Sequence, residues 1–393
     1  MLQYPRDMGS HESIAVVGAG AAGVSAVEAL RDAGFAGLLT LIGDEPGLPY
    51  DRPPLSKQVL VDQTHPGRVL LRDAERFDHL DVTRRHARAT ELDRAHQRIQ
   101  LADGSTVDYD GVVVATGVTP RRLAFGHDLH GVHVLRTADD ALALRADLLK
   151  ARRVAVVGGG FLGTEVAASA TKLDCEVVVV DPLPLPMAGQ LGPAVAERLM
   201  SLHQRNGVTV RTGRVPTGFT ARDGQCTGVE LDDGTTLAAD CVLVAIGCVP
   251  AVEWLRSAGL ELGNGIECDE YCRAAENVYA AGDIARWPNA RFGTRMRIEH
   301  RTNAGEQGRA AARNLVLGDV EPFAPLPYFW SDQFDVKIQA HGWLNLAEPV
   351  EIVEGESGFV ALYRSGGRLA GVLGWNAFKQ LRPYRKELLD QPG

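Results

Sequence analysis

Two stretches of the chain carry glycines at a spacing that lets backbone approach a phosphate. The first is Gly18-Ala-Gly20-Ala-Ala22-Gly23 and the second is Gly158-Gly-Gly160-Phe-Leu162-Gly163. In such a loop the first glycine permits a tight turn and the second removes the Cβ that would block a pyrophosphate. The third lets the following helix pack on the preceding strand. An acid follows each loop by roughly 20 residues, Asp44 after the first and Asp181 after the second. A carboxylate there accepts hydrogen bonds from a ribose diol. One such loop says little; two, each between a β-branched run and a helical stretch, predict two dinucleotide sites in one chain. The residues after Asp181, Pro182-Leu-Pro-Leu-Pro186, include no arginine to receive a 2′-phosphate. The second site is therefore expected to take NADH rather than NADPH.

Composition narrows the class of partner. A formal charge of -9 over 393 residues argues against nucleic acid, whose phosphates need a basic face. No apolar run approaches the roughly 20 residues of a membrane span, so no membrane partner is expected. Met1 to Glu12 is polar and lacks an apolar leader segment, which predicts a cytoplasmic protein. The cysteines, Cys175, Cys226, Cys241, Cys248, Cys268 and Cys272, are scattered and form no C-x-x-C pair. Cys268 and Cys272 lack a second pair of ligands, so no metal site is expected and the thiols read as reduced and structural.

These residues need elements to hold them. Ser13-Ile-Ala-Val-Val17 precedes the first loop, a helical stretch runs to Ala33, and a second apolar strand, Leu38 to Ile42, leads toward the acid. The other copy has Arg153-Val-Ala-Val-Val157, a helix to about Leu173, and Val177 to Val180. Continuous β-branched strands bounded by glycine suit a parallel sheet covered on both faces. Each copy then continues alike. A hairpin at Asp103-Gly104 leads to Gly111-Val-Val-Val-Ala115, and a turn at Asp233-Gly234 leads to Cys241-Val-Leu-Val-Ala245. After Pro250 the chain returns to a strand ending in Ala280-Ala-Gly282-Asp283, followed by a helix from about Ala304 to Leu317. From Glu321 onward it becomes aromatic and alternating, as a small unit on an antiparallel sheet would be. A chain of this length exceeds one ordinary core, so several domains are expected.

Further motifs share one pattern. They are Pro49-Tyr-Asp-Arg52-Pro-Pro-Leu-Ser-Lys57, Ala115-Thr116-Gly117 with Ala245-Ile-Gly247, Ala280-Ala-Gly282-Asp283, Arg297-Ile-Glu299-His300 and Tyr328-Phe-Trp330-Ser-Asp-Gln333. With these motifs the chain, from about Ser13 to Trp375, resembles the NADH-dependent ferredoxin reductases that feed oxygenases. These are of the putidaredoxin-reductase and biphenyl-dioxygenase-reductase type, relatives of apoptosis-inducing factor. The resemblance implies an α/β fold: two Rossmann-like dinucleotide-binding domains, glutathione-reductase-like, plus a small α+β C-terminal domain. It implies an FAD-binding domain of residues 10–117 and 245–318, interrupted by an NADH-binding domain of residues 118–244. Residues 319–393 would cover the flavin.

Carried over position by position, the resemblance implies FAD contacts from Gly18, Gly20, Ala22, Gly23, Asp44, Arg52, Lys57, Ala89, Ala115, Thr116, Gly117, Arg136, Gly282, Asp283, Glu299, His300, Arg301 and Trp330. It implies NADH contacts from Gly158, Gly160, Leu162, Gly163, Glu165, Asp181 and Gly247. Lys57, Glu165 and Trp330 are the residues it sets at the reacting rings, with Lys57 meeting Glu165 near flavin N5. Plainer readings stand beside these. Lys57 is also a solvated lysine, Glu165 a first-turn acid favoured by the helix dipole, Asp283 a helix cap and Trp330 a core aromatic. The chain departs from the family at Arg301, where Trp is usual, and at Cys248, where Val or Arg is commoner. Arg301 would then stand at the flavin edge.

The activity implied is NADH:ferredoxin oxidoreduction. Hydride passes from NADH to FAD, and single electrons leave for a 2Fe–2S ferredoxin, or a rubredoxin, serving a cytochrome P450 or a ring-hydroxylating oxygenase. No paired thiols stand beside the first loop to carry electrons out another way. Arg286, Arg291, Arg295, Arg297 and Arg301 suggest a docking face for an acidic ferredoxin, or a set of internal ion pairs. Two alternatives remain: direct reduction of a small acceptor such as a quinone or a biosynthetic intermediate, and an NADH-sensing interaction protein. Monomer and homodimer are both open.

Overall fold

The computed structural model describes residues 11–62 and 64–391. Met1 to Ser10, which holds most of the polar N-terminal stretch and the first residue of the expected FAD domain, lies outside the described residues. So do Pro392 and Gly393, the last two of the expected C-terminal domain.

Two parallel sheets share one wiring. The first has the strand order Arg273–Ala275, Val278–Ala280, Gly111–Val114, Ser13–Val17, Leu38–Gly43, Val82–His86, with only the outermost, Arg273–Ala275, antiparallel. The second has the order Val132–His133, Cys241–Val244, Arg153–Val157, Glu176–Asp181, Thr209–Thr212. Ile14 to Val17 and Val154 to Val157 are buried without exception, as strands covered on both faces must be. The helices Ala21–Asp32 and Phe161–Lys172 follow the two glycine loops. Each sheet also carries a three-stranded antiparallel flap, Ala89–Asp93 with Arg98–Leu101 and Thr106–Asp108, and Pro216–Arg222 with Gln225–Leu231 and Thr236–Ala238. The whole module repeats, as the sequence predicts. The chain crosses between the modules at one antiparallel ladder, Val118–Pro120 against Cys248–Pro250, with Val118 opposite Pro250.

The helix Arg301–Leu317 returns to the first module. It lies so close to Ala21–Asp32 that a Cβ on Gly308 would come within 2.2 Å of the Ala22 carbonyl oxygen. It begins at Arg301 rather than near Ala304 as the sequence suggests. Thr302 Oγ1 donates to the Tyr328 carbonyl at 2.7 Å and Arg301 pairs with Asp51, so polar residues that read as loop are held in the first turn by tertiary partners.

The last unit is a five-stranded antiparallel sheet in the order Tyr328–Gln333, Val336–Gly342, Arg368–Trp375, Phe359–Ser365, Glu351–Glu354. The helix Phe378–Asp390 backs it through Leu381 and Leu388. Alternation along Tyr328–Gln333 turns Phe329, Ser331 and Gln333 toward the second module and leaves Tyr328 and Trp330 on the opposite face. Among the described residues no helix is long and apolar enough to cross a membrane, and no cluster of side chains is suited to a metal ion. All six cysteines are free.

Candidate functional site

The two glycine loops repeat each other in detail. Gly18 and Gly158 have φ of +112° and +105°, and a Cβ on them would fall 2.2 and 2.3 Å from the carbonyl oxygens of Ala115 and Ala245. A Cβ on Gly23 or Gly163 would lie 1.9 Å from the carbonyl oxygen of Gly18 or Gly158, so packing inside the loop requires the third glycine. Gly20 and Gly160 differ: a Cβ there meets nothing within 4 Å. The protein itself has no need of glycine at these two places. They open onto the N-termini of Ala21–Asp32 and Phe161–Lys172, which have no side-chain cap and no acid in the first turn. An anionic pyrophosphate fits this position twice over.

The two acids are used differently. Asp44 is half exposed and lies 3.3 Å from the exposed Arg88, free to reach a ribose. Asp181 is buried. Its Oδ2 accepts the Gly159 N–H at 2.7 Å and its Oδ1 the Leu183 N–H at 2.8 Å, so it braces its own loop as well.

Lys57 follows the short helical turn Pro53–Ser56, which opens on two prolines already set at helical φ. Its Nζ lies 2.7 Å from Glu165 Oε2 and 3.3 Å from the Pro53 carbonyl oxygen. Ser56 Oγ donates to the same Glu165 oxygen at 2.6 Å, and Ser331 Oγ donates to Oε1 at 2.6 Å. Three separate units of the chain therefore converge on one carboxylate. Sequence reasoning places Lys57 and Glu165 together but misses Ser56 and Ser331. Both lie inside the quoted motifs, where the charged and aromatic residues draw the attention.

A second cluster lies beside the first loop. Arg52 pairs with Glu45 at 2.7 Å and donates to the Arg136 carbonyl at 2.6 Å. The Tyr50 hydroxyl donates to Glu45 and accepts the Ala138 N–H at 2.7 Å. Arg136 Nη2 stands 3.7 Å from Asp283 Oδ2, in space that a Cβ on Gly117 would invade at 2.9 Å. Burial pushes the Asp283 carboxyl up, against the pull of Arg136, and pushes the Arg136 guanidinium down. A turn begins at Gly282 without a side-chain cap, so Asp283 is not spent as a helix cap. Gly282 N–H donates to Gln307 Oε1 at 2.9 Å.

The remaining predicted residues ring these clusters. Glu299 takes Arg297 at 2.6 Å and accepts the Cys248 thiol at 3.0 Å; burial, helped by Glu299, pushes that thiol up to about 12. His300 packs on Phe329 with 4.9 Å between ring centroids, and burial pushes it down to about 4, so the imidazole is neutral. Arg301 is tied to Asp51. Trp330 lies outside the core, stacked on Tyr328 at 6.0 Å, with Tyr328 stacked on His341 at 4.6 Å. Ala89 opens its flap strand, Ala115 is buried at its strand end, and Thr116 Oγ1 donates to the Ala251 carbonyl at 3.3 Å. Gly247 accepts the Arg121 N–H at 2.9 Å, and Leu162 packs on the core beneath the Lys57 loop. Internal partners account for the whole arginine run. Arg286 and Arg295 share Glu267 at 2.6 and 2.8 Å, and Arg291 donates to the Leu388 carbonyl at 3.0 Å.

Residues 12–308 match the family described as Pyridine nucleotide-disulphide oxidoreductase, and residues 328–391 match the one described as Reductase C-terminal. Rhodocoxin reductase of Rhodococcus erythropolis is 37% identical over 382 residues, covering 96% of this chain and 89% of that protein. The ferredoxin--NAD(+) reductase component of the anthranilate 1,2-dioxygenase system of Burkholderia cepacia is 39% identical over 350 residues, covering 88% and 86%. The crystal structure of the ferredoxin reductase for the CYP199A2 system from Rhodopseudomonas palustris has a TM-score of 0.92 at 34% identity, across 97% of this chain and 96% of that one.

Proposed function

The chain belongs to the pyridine nucleotide-disulphide oxidoreductase family, and on that premise we propose that it carries electrons from NADH through FAD to a 2Fe–2S ferredoxin serving a cytochrome P450 or a ring-hydroxylating oxygenase. The observation that carries this reading is the 2.7 Å contact between Lys57 of the first module and Glu165 of the second. It brings the two nucleotide loops to a common seam, where two rings must meet for hydride transfer.

The chemistry that FAD would supply when bound is acceptance of hydride from the nicotinamide and release of single electrons. The first loop and its helix N-terminus hold the FAD pyrophosphate, Asp44 its ribose, and Arg52, Arg136 and Asp283 its middle. Lys57 would set positive charge beside the flavin, Glu165 would hold Lys57 from the second module, and Trp330 would help to cover the flavin. Gly158, Gly160, Gly163 and Asp181 hold NADH. The division into an FAD unit of residues 10–117 and 245–318, an NADH unit of 118–244 and a covering unit of 319–393 goes with this reading, as does a cytoplasmic setting.

Docking moves away from the 286–301 run, whose guanidiniums are engaged internally. The helix Phe378–Asp390 presents Lys379, Arg382, Arg385 and Lys386, all exposed and without a carboxylate partner among the described residues. An acidic ferredoxin is steered to this face. Anaerobic stopped-flow tests the reading: NADH reduces the flavin, and a 2Fe–2S ferredoxin then reoxidises it rapidly. Reoxidation by quinones alone would sink the ferredoxin assignment. A ferredoxin rate indifferent to salt would sink the steering.

A further inference from the structure

Glu165 ends a line of buried polar groups that runs away from the glycine loops. Its Oε1 accepts the Ser331 hydroxyl at 2.6 Å, Ser331 Oγ accepts the Gln333 amide nitrogen at 3.1 Å, and Gln333 Oε1 stands 2.7 Å from His203 Nε2. Ser331, Gln333 and His203 are each 1% exposed. His203 comes from the helix Pro193–Arg205, Ser331 and Gln333 from the first strand of the last sheet, and Glu165 from the second glycine-loop helix. Apolar side chains are the ordinary filling of such a seam, and a polar line there is costly unless every member is satisfied.

The line has one direction, set by the charge at its end. An ionised carboxylate only accepts, so Ser331 donates to it. The Ser331 lone pair then takes the amide N–H, which turns the amide oxygen toward His203. The imidazole must donate from Nε2, which leaves Nδ1 without a proton. That nitrogen is buried and has no hydrogen-bond partner among the described residues. Burial lowers the His203 pKa and keeps the ring neutral. Phe334 fixes the ring edge-to-face at 5.1 Å and itself holds φ at +54°, a strained value for a bulky side chain.

We propose that Ser331, Gln333 and His203 are positioning residues, forming a one-way hydrogen-bond relay that locks the Glu165 carboxylate, and through it Lys57, in the place hydride transfer requires. This rests on the reading of Lys57 and Glu165 as groups beside the reacting rings.

The test uses the FAD-loaded full chain. Anaerobic mixing with NADH gives the limiting rate of flavin reduction and the NADH Kd separately. Ser331→Ala is expected to slow the limiting rate about tenfold, as misplacement of a group at the reacting centre does, with Kd unchanged within about twofold. Ser331→Thr, which keeps the hydroxyl, restores most of the rate. Gln333→Leu costs less than Ser331→Ala, and His203→Phe less again. A second readout needs no turnover: nitrogen-15 spectra of the histidines report the His203 tautomer. The wild type shows Nε2–H, and Glu165→Gln, whose amide both donates and accepts, gives a mixture of tautomers three hydrogen bonds away. An Nδ1–H tautomer in the wild type overturns the relay. So does wild-type reduction by Ser331→Ala and Gln333→Leu, or a loss confined to Kd and melting temperature. Lys57→Met and Glu165→Ala separate the two levels. If neither slows flavin reduction, the placement of the pair at the rings fails; if both slow it and Ser331→Ala does not, the relay alone fails.

Discussion

The two glycine loops meet the same kind of backbone atom at nearly the same nearest distance, 2.2 and 2.3 Å at Gly18 and Gly158 and 1.9 Å at both Gly23 and Gly163, yet their acids do not occupy equivalent places. Ile42 pairs with Val17 and Val180 with Val157, so the residue that corresponds to Asp181 is Gly43, and Asp44 stands one position further on. A swap of small residues explains the offset. In the first loop Ala19 fills the space and the strand end is glycine, where a Cβ would lie 2.7 Å from that of Ala19. In the second loop the strand end is Asp181 and the facing residue is Gly159, where a Cβ would lie 2.8 Å from Pro186 Cβ and 3.2 Å from Asp181 Oδ2. One side or the other must be bare. The second loop spends that room on a carboxylate that holds the loop together; the first leaves its carboxylate outside.

The glycines test how deep the likeness goes. Gly23→Ala and Gly163→Ala force a Cβ onto a backbone carbonyl and are each expected to cost about 2–3 kcal/mol in denaturant unfolding of the apoprotein. Gly23→Ala should also emerge from purification without FAD, whereas Gly163→Ala should keep FAD and lose its reduction by NADH. Asp181→Ala comes next. It orphans two N–H groups and should destabilise the apoprotein by about 2 kcal/mol, while Asp44→Ala should stay within about 0.5 kcal/mol and weaken only FAD retention. Equal losses from the two would erase the distinction drawn between the acids. Gly159→Ala presses on Pro186 and Asp181 and should cost about 1 kcal/mol. Smallest of all, Gly20→Ala and Gly160→Ala should leave apoprotein stability within about 0.5 kcal/mol. Titration with FAD or NADH should nonetheless show a clear loss of affinity if, as proposed, the open side of these glycines faces the ligand.

The modules, their repeat and the two loops are legible in the sequence because they rest on local patterns: β-branched runs, glycine spacing and turn residues. The offset between Asp44 and Asp181 is not, since spacing along the chain mixes connection length with register, and only strand pairing separates them. Lys57 and Glu165 stand 108 positions apart and are found through motifs; the Ser56 and Ser331 hydroxyls that complete their site carry no pattern of their own. His203 lies in no motif and Gln333 only closes one, and their roles are hidden for a further reason. An imidazole on an amphipathic helix and an amide in a strand look like surface residues until the last sheet closes over them. The arginine run reads equally as a docking face or as internal ion pairs, because only Glu299, the partner of Arg297, lies beside it; Glu267 and Asp51 come from other parts of the chain.

The ladder of Val118–Pro120 with Cys248–Pro250 has a consequence for engineering. The segment it encloses begins and ends at adjacent points, with both ends already hydrogen-bonded to each other, so it has the form of a removable cartridge. A short turn could close the gap left by its excision, and a cartridge from a relative could be spliced in across the same rungs. On the proposed reading of this segment as the NADH unit, the exchange is expected to carry the coenzyme preference with it and to leave the flanking strands in place.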